Sequence, residues 1–404
     1  MNVREEQVRQ MTAIQEQLEQ EKTYLSVLRR EFHRHPELSL KEFCTAARIE
    51  EELDRFGIPH TRVGETGVLG TLRGTGTGGG VVVLRADIDA LPIQETSGAD
   101  YCSQTPDVMH ACGHDVHITC LLGAAKLLAE HRTAFGGEVR FVFQPAEEIG
   151  QGAKAFVEAG VLDGADRVFG LHVAPDLAIG TVGLKPGLNN AAVDLFRIQV
   201  HGKAAHVAQP QLGVDALYIA SQTVVALQAL VTRLTSPVEP IVIGVGKLQA
   251  GTTYNALAGS ALLEGTTRTI SQESRERVRE QITRTAQNIA DIYGGRAEVQ
   301  WTDITAALIN DPQACLEAAA AAKLLGEGVR VITDRSLSLC GDNFAEYLLH
   351  TPGAYAYLGT GNPALPNTLS SLHNGNFDVD EEALTLGAGL YAGYALSRLR
   401  ASHP

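Results

Sequence analysis

The sequence predicts an α/β protein of two domains, in which a mixed, mostly parallel sheet is interrupted by an inserted α+β domain. Three observations carry this. Short apolar runs rich in β-branched residues alternate with helical segments through the first half and again near the end. From about 188 to 303 the texture changes to strands in which apolar and polar residues alternate. The length, 404 residues, exceeds what one hydrophobic core organises.

Taken in order, residues 1 to about 32 read as a helix with Leu18, Tyr24, Leu25, Val27 and Leu28 among its apolar positions. A second helix is expected from about Glu42 to Phe56, stopped by Gly57. The strand GVLGTLRG follows, then the loop GTGTGGG. No Lys-Ser/Thr follows that loop and it leads into a strand, so it is expected to be a flexible hairpin loop and not a phosphate cradle. VVVLRAD has the composition of a strand buried on both faces. A helix over about 113–131, the strand EVRFVFQ, a helix over 150–160 and the strand RVFGLHV continue the alternation.

After Gly187 come LFRIQVHG, a helix from about Val214 to Leu234, IVIGVGKL, SALLEGTTRT, a charged helix from Gln272 to Tyr293, and AEVQWTD. This β-α-β-β-α-β order is the ferredoxin-like, split-βαβ arrangement. The expected boundaries are therefore 1–187 and 304–404 for the main domain and 188–303 for the insertion. A helix from about Glu381 to Leu399 closes the chain.

Forty-seven acidic against 33 basic residues leave a net charge of −14, which repels phosphate backbones and argues against a nucleic-acid partner. No apolar run reaches the roughly 18 residues of a membrane span, and the charged N-terminal segment does not read as a signal peptide. A cytoplasmic protein is expected. The six cysteines contain no CxxC pair and read as free thiols or metal ligands.

The chemistry concentrates at strand ends. Asp87 and Asp89 follow the VVVL strand, where α/β enzymes place their sites. MHACGHDVH packs His110, Cys112, His114, Asp115 and His117 together, and thiolate, imidazole and carboxylate are ligands for zinc and its neighbours. Cys112 and His114 flank Gly113, so both can aim at one point. His117 is expected in the following helix and His110 behind the ligands. Glu147 and Glu148 end the next strand. Adjacent carboxylates repel unless a cation is near, and one can bind metal while the other holds a proton. His172 and His373 complete a five-ligand set for two metal ions.

RADIDALP, MHACGHD, QPAEE, GLHV and the late LHN string resemble the M20 metallopeptidase family, in its amidohydrolase branch of aminoacylase-like, hippurate hydrolase-like and auxin-conjugate hydrolase-like enzymes. The motifs occur in the family order over most of the chain. The resemblance implies a two-metal catalytic domain and a smaller lid domain that dimerises. It implies that Cys112, His114, Glu148, His172 and His373 are the ligands, with Cys112 bridging. It assigns Glu147 as general base and Asp89 as the residue that orients the metal centre. In the lid, HGKAAH places His206 toward the substrate carbonyl, and Asn255 and Arg268 resemble the groups that grip the substrate's carbonyl and carboxylate. The ions expected are two divalent metals, zinc first, with manganese, cobalt or nickel able to serve. Many relatives carry Glu-Asp-Phe where this chain has Gly341-Asp342-Asn343-Phe344; the first acid is a shorter Asp and the second an amide.

The activity expected is hydrolysis of N-acyl amino acids by a metal-activated water. Alternatives within the family are a dipeptidase, an N-carbamoyl-amino-acid hydrolase or an N-acetyl-diaminopimelate-type deacetylase. Outside it stands a catalytically silent metal-binding protein, against which Glu147 argues, since a binding site needs no proton shuttle.

Overall fold

The computed structural model describes residues 3–400, with side chains from Thr12 onward; Met1, Asn2 and 401–404, which the expected first helix and main domain included, lie outside the described residues. The chain forms two compact units: one of residues up to Gly187, Ile309–Ser336 and Asn343 onward, the other of Leu188–Leu308 and Leu337–Asp342.

The first unit is built on strands β1 (His60–Val63), β2 (Gly67–Arg73), β3 (Val81–Asp87), β4 (Glu138–Gln144), β5 (Arg167–Ala178), β6 (Thr181–Gly183), β13 (Arg330–Ile332) and β14 (Gly353–Gly361). They lie in the order β1-β2-β4-β3-β5-β14-β6-β13. The pairs β3/β4, β3/β5, β5/β14 and β6/β13 are parallel, and β1/β2, β2/β4 and β6/β14 are antiparallel. The mixed, mostly parallel sheet is thus as the alternation of strands and helices leads one to expect. Its central strands are buried along nearly their whole length, which is why they read as unbroken apolar runs.

Helices α1 (Val3–Arg34), α3 (His114–Glu130) and α9 (Ala383–Leu399) pack together on this unit's core through Leu18, Leu25, Leu28, Leu121, Leu128, Tyr391 and Leu396. The α3–α9 approach depends on Gly387, where an added Cβ would stand 2.5 Å from Cys120 Sγ and 2.9 Å from a Leu358 methyl. Overpacking of this kind costs about 1–3 kcal/mol. Gly387→Val should therefore lower the urea midpoint with little change in m-value; an unchanged midpoint would mean the helices part without cost.

The glycine loop corrects one expectation. It is not a hairpin, because β2 and β3 do not pair with each other; both pair with β4, which lies between them. Its glycines serve close backbone packing: a Cβ on Gly74 would meet Phe135 O at 2.2 Å, and one on Gly76 would meet Thr133 O at 2.4 Å.

The second unit holds β8 (Ala192–His201), α5 (Ala216–Leu234), β9 (Val242–Ala250), β10 (Ser260–Thr269), α6 (Gln272–Ile292) and β11 (Arg296–Thr305). Its four strands lie in the order β11-β8-β10-β9, with every pair antiparallel. Phe196, Ile198, Ile219, Leu227, Leu263 and Ile282 form its own core. Helix caps are standard: Asp215 accepts from Leu217 N and Ser271 from Ser274 N. The unit also takes Leu337–Asp342, a segment the sequence reading assigned to the main domain. The segment is tied there by Ala191 N to Ser338 O (3.1 Å), Ser338 N to Asn189 O (2.9 Å) and Thr305 Oγ1 to Asp342 O (2.9 Å).

Candidate metal centre

The first unit gathers its polar groups at the C-terminal ends of β3, β4 and β5 and at the start of α3. Gly113 makes the last of these possible. Its φ is +80°, and a Cβ there would stand 2.5 Å from Val173 Cγ2. The chain can therefore turn sharply between Cys112 and His114 and set both beside β5.

Cys112, His114 and His172 form one set of donors whose atoms lie within 4.8 Å of one another; Cys112, Glu148 and His373 form a second, and His114, Glu147 and Glu148 a third. Cys112 Sγ is 3.4 Å from His172 Nε2. Glu148 Oε1 is 3.4 Å from His373 Nε2 and 3.8 Å from His114 Nε2. The five residues singled out as ligands in the sequence thus come together, with Cys112 shared by two sets. His373 arrives on a loop where its own φ is +61° and its N–H donates to Ala111 O at 2.8 Å. Ala146, beside the carboxylate pair, also has a positive φ, +55°. Strained backbone of this kind persists where the surroundings over-determine it.

The donor chemistry fits divalent cations. His114 Nε2 and Glu148 Oε1 are buried without hydrogen-bond partners, a costly state unless an ion completes them. Burial opposes charge on His114, yet Asp87, Asp89 and Cys112 raise its proton affinity well above the ordinary histidine value. The site therefore carries a negative potential that a cation would relieve. His172 is held well below its ordinary value, chiefly by burial and then by His117. It is a neutral imidazole whose Nδ1–H donates to Val173 O at 2.8 Å, leaving the Nε2 lone pair toward Cys112.

Behind the ligands, Asp89 does more than the sequence suggested. Its Oδ1 is 3.3 Å from His114 Nδ1. It also accepts the backbone N–H of Glu147 (3.1 Å) and Glu148 (3.0 Å) and the Ser39 hydroxyl (2.6 Å). One buried carboxylate so orients a ligand and the turn that carries both glutamates. Asp87, whose charge burial opposes, is held well below the usual carboxylate range by Arg85, His114 and His117. His117 lies in α3 and is not placed as a ligand: Nδ1 is 2.5 Å from Asp87 Oδ1, and Nε2 accepts Val173 N–H at 2.9 Å. His110 is buried behind the site, its pKa pushed down to about 4 by desolvation.

Several contributors escaped the sequence reading. Glu42 is buried and accepts the Ala146 N–H at 2.9 Å and the Thr66 hydroxyl at 2.8 Å. Arg85, Gln144 and Asn343 form a buried network under the site. Arg29 and His33 of α1 hold Asp115, each at 2.8 Å. A polar residue within an apolar strand, as Arg85 is in VVVLRAD, was the available signal.

In the second unit His206 and Asn255 are neighbours. Val207 N donates to Asn255 O at 3.1 Å, and His206 bridges to Ala256. His206 is exposed, and its Nδ1 accepts Ala208 N–H at 3.1 Å, which assigns the ring proton to Nε2. Both residues sit at the Ser260 end of β10. Arg268 lies eight residues along that strand from Ser260, a rise of roughly 26 Å. Its guanidinium donates to Thr266 Oγ1 and Thr267 O.

Thiolate, imidazole and carboxylate donors at the strand ends of an α/β sheet, with a further carboxylate beside them, are the donor set of a metal site able to activate water. The comparisons agree. Residues 83–397 match the model of peptidase family M20/M25/M40, and the chain belongs to that family. It is 41% identical over 361 residues to an N-acetyl-L-cysteine deacetylase of Bacillus subtilis, covering 88% of this chain and 84% of that one. It is 37% identical to thermostable carboxypeptidase 2 of Saccharolobus solfataricus, covering 90% and 93%. An IAA-amino acid hydrolase of Arabidopsis thaliana is 36% identical, covering 93% and 86%. Among solved structures, a dinuclear metal-binding M20 peptidase of Bacillus subtilis superposes with a TM-score of 0.81 at 37% identity, covering 94% and 98%. The protein is an enzyme that hydrolyses amide bonds.

Proposed function

We propose that the protein hydrolyses the amide bond of N-acyl amino acids, with Glu147 as general base. The carrying observation is that Glu147 Oε1 accepts the Asn343 N–H at 3.2 Å, whereas Glu148 Oε1, buried and without a hydrogen-bond partner, lies 3.4 Å from His373 and 3.8 Å from His114, although both carboxylates share one donor set with His114. Cys112, His114, Glu148, His172 and His373 hold two divalent cations, zinc before manganese, cobalt or nickel. When bound, such ions supply an acidified water and a polarised substrate carbonyl. Glu147 takes the proton of the attacking water and returns it to the leaving nitrogen as the C–N bond breaks, yielding a carboxylate and a free amino acid. His206 offers its Nε2–H to the developing oxyanion; a donor of that kind is worth about 10²–10³-fold in turnover. Arg268 pairs with the substrate carboxylate, and Asn255 binds its carbonyl.

The second unit is read as a ferredoxin-like lid that dimerises. Two features support this. His206 lies beside Ala256, ahead of the Ser260 start of β10, whereas Arg268 lies near the other end of that strand. On α5, Leu217, Val225 and Leu234 are exposed while Ile219, Leu227 and Leu230 face its own core, leaving an apolar face for a second copy.

A panel of N-acetyl, N-benzoyl and N-carbamoyl amino acids and unacylated dipeptides, followed by release of free amino acid, tests the substrate class. The N-acyl compounds should be fastest. Dipeptides in first place would replace this reading with a peptidase, the second reading that the 37% identity to a carboxypeptidase favours.

Cys112→Ser should weaken both ions, because Sγ belongs to two donor sets. Elemental analysis of the variant should show loss of more than one ion per chain; unchanged metal would remove the bridging role.

A further inference from the structure

The Asp342-Asn343 segment, where the chain departs from the family string, has no task in the mechanism above. It lies where the chain passes from the second unit, ending at Asp342, into the first, resuming at Asn343. Asn343 is buried. Its amide oxygen accepts Arg85 Nη2–H at 2.8 Å and Gln144 Nε2–H at 2.9 Å. Both donors are themselves pinned. Arg85 donates through Nη1 to Asp87 at 2.6 Å and through Nε to Gln144 Oε1 at 3.0 Å, and the Tyr347 hydroxyl donates to that same oxygen at 3.1 Å. A guanidinium has donors only, so the Asn343 oxygen, not its nitrogen, must face Arg85.

From this clamped side chain the backbone N–H of Asn343 reaches Glu147 Oε1. The other anchors of that turn act on its main chain: Asp89 on the N–H groups of Glu147 and Glu148, and Glu42 on that of Ala146. The Asn343 N–H acts on the carboxylate itself.

We propose that Asn343 is a positioning residue for the Glu147 carboxylate: Arg85 and Gln144 fix its side chain, and the side chain fixes the N–H that orients the base. The proposal rests on Glu147 being the general base. What it adds is a link from β3, β4 and the returning chain to the orientation of one oxygen. An aspartate at 343 offers the same acceptor and the same backbone N–H, so Asn343→Asp is the conservative variant. Leucine has similar bulk and no acceptor, and frees the segment from its clamp.

The test uses the purified metal-loaded enzyme and the N-acyl amino acid it turns over fastest. Asn343→Leu should lower kcat about 10- to 10²-fold, the scale of an ångström-level misplacement of a reacting group. KM should stay within about 3-fold and metal content should equal wild type. Asn343→Asp should restore kcat to within about 3-fold of wild type. In a Glu147→Gln background, Asn343→Leu should cost nothing further, since the group it positions is gone. A full additional loss there, or equal losses from Leu and Asp, would overturn the proposal, as would unchanged kcat in folded Asn343→Leu. If Asn343→Leu does not fold, Asn343→Ser, which shortens the side chain, carries the same comparisons. Failure of the base assignment is distinguishable: it shows as wild-type turnover in Glu147→Gln alone, whatever Asn343 does.

Discussion

Glu147→Gln should retain the full metal complement while turnover falls by about 10²-fold or more, the scale of a lost general base. The neighbouring change Glu148→Gln should lose metal and, with it, activity. The two side chains are alike in chemistry and adjacent in sequence, so the difference must come from what each one faces. Glu148 Oε1 is buried with no hydrogen-bond partner, 3.4 Å from the His373 ring and 3.8 Å from that of His114. A neutral amide there would bring a donor NH₂ among groups that present lone pairs. Glu147 instead has its Oε1 on a backbone N–H, and a glutamine oxygen can accept that bond equally well. Its geometry survives and its proton affinity does not. Metal analysis and kcat measured on the same preparations decide the matter; indistinguishable variants would show that the labour is not divided.

His206→Ala should fold, keep its metal and lose about 10²–10³-fold in turnover, because it removes an oxyanion donor and no ligand. The larger effect appears on mixing. Glu147→Gln and His206→Ala alone should each be nearly inactive, but if the protein dimerises as proposed, a heterodimer built from both contains one site with an intact base and an intact partner histidine. Recovered activity approaching half of wild type per heterodimer is expected. The reason lies within the second unit, where His206 and Asn255 sit in loops near the Ser260 end of β10 and Arg268 lies eight residues further along the strand, a rise of roughly 26 Å from Ser260. On the proposed reading, His206 and Arg268 act on one substrate only if two copies of the unit contribute. Verified heterodimers without recovery would assign His206 to its own chain, and a His206→Ala enzyme at the wild-type rate would remove it from the reaction.

The residues that read most clearly from sequence were those whose neighbours in the chain are also their neighbours in space. Cys112 and His114 could be read as a pair because one glycine joins them. The strands that carry Asp87 and His172 and lead into Glu147 could be read because continuous β-branched runs mark a buried parallel sheet. The change from unbroken to alternating strands falls near Leu188, where the second unit begins. What stayed hidden depends on tertiary pairing. The Arg85–Gln144–Asn343 network joins three segments separated by 59 and 199 positions, and nothing local at Asn343 marks it as a partner of Arg85. Glu42 looked like an ordinary helix start, yet its carboxylate is buried against the Ala146 N–H. The glycine loop was misread for the same reason: two strands with a short loop usually pair, but β4, far along the chain, comes between them.

The central claim is that the five gathered donors form a two-cation centre that cleaves N-acyl amino acids. Its most direct test is to strip the enzyme with a chelator and titrate zinc or manganese back. Release of free amino acid from an N-acyl amino acid is followed against ions bound per chain. Turnover should vanish on stripping and climb back as ions enter, reaching its plateau at no more than two per chain, while Glu148→Gln takes up fewer ions and stays inactive. Turnover that persists in the stripped enzyme, or that returns equally in Glu148→Gln, would contradict the account.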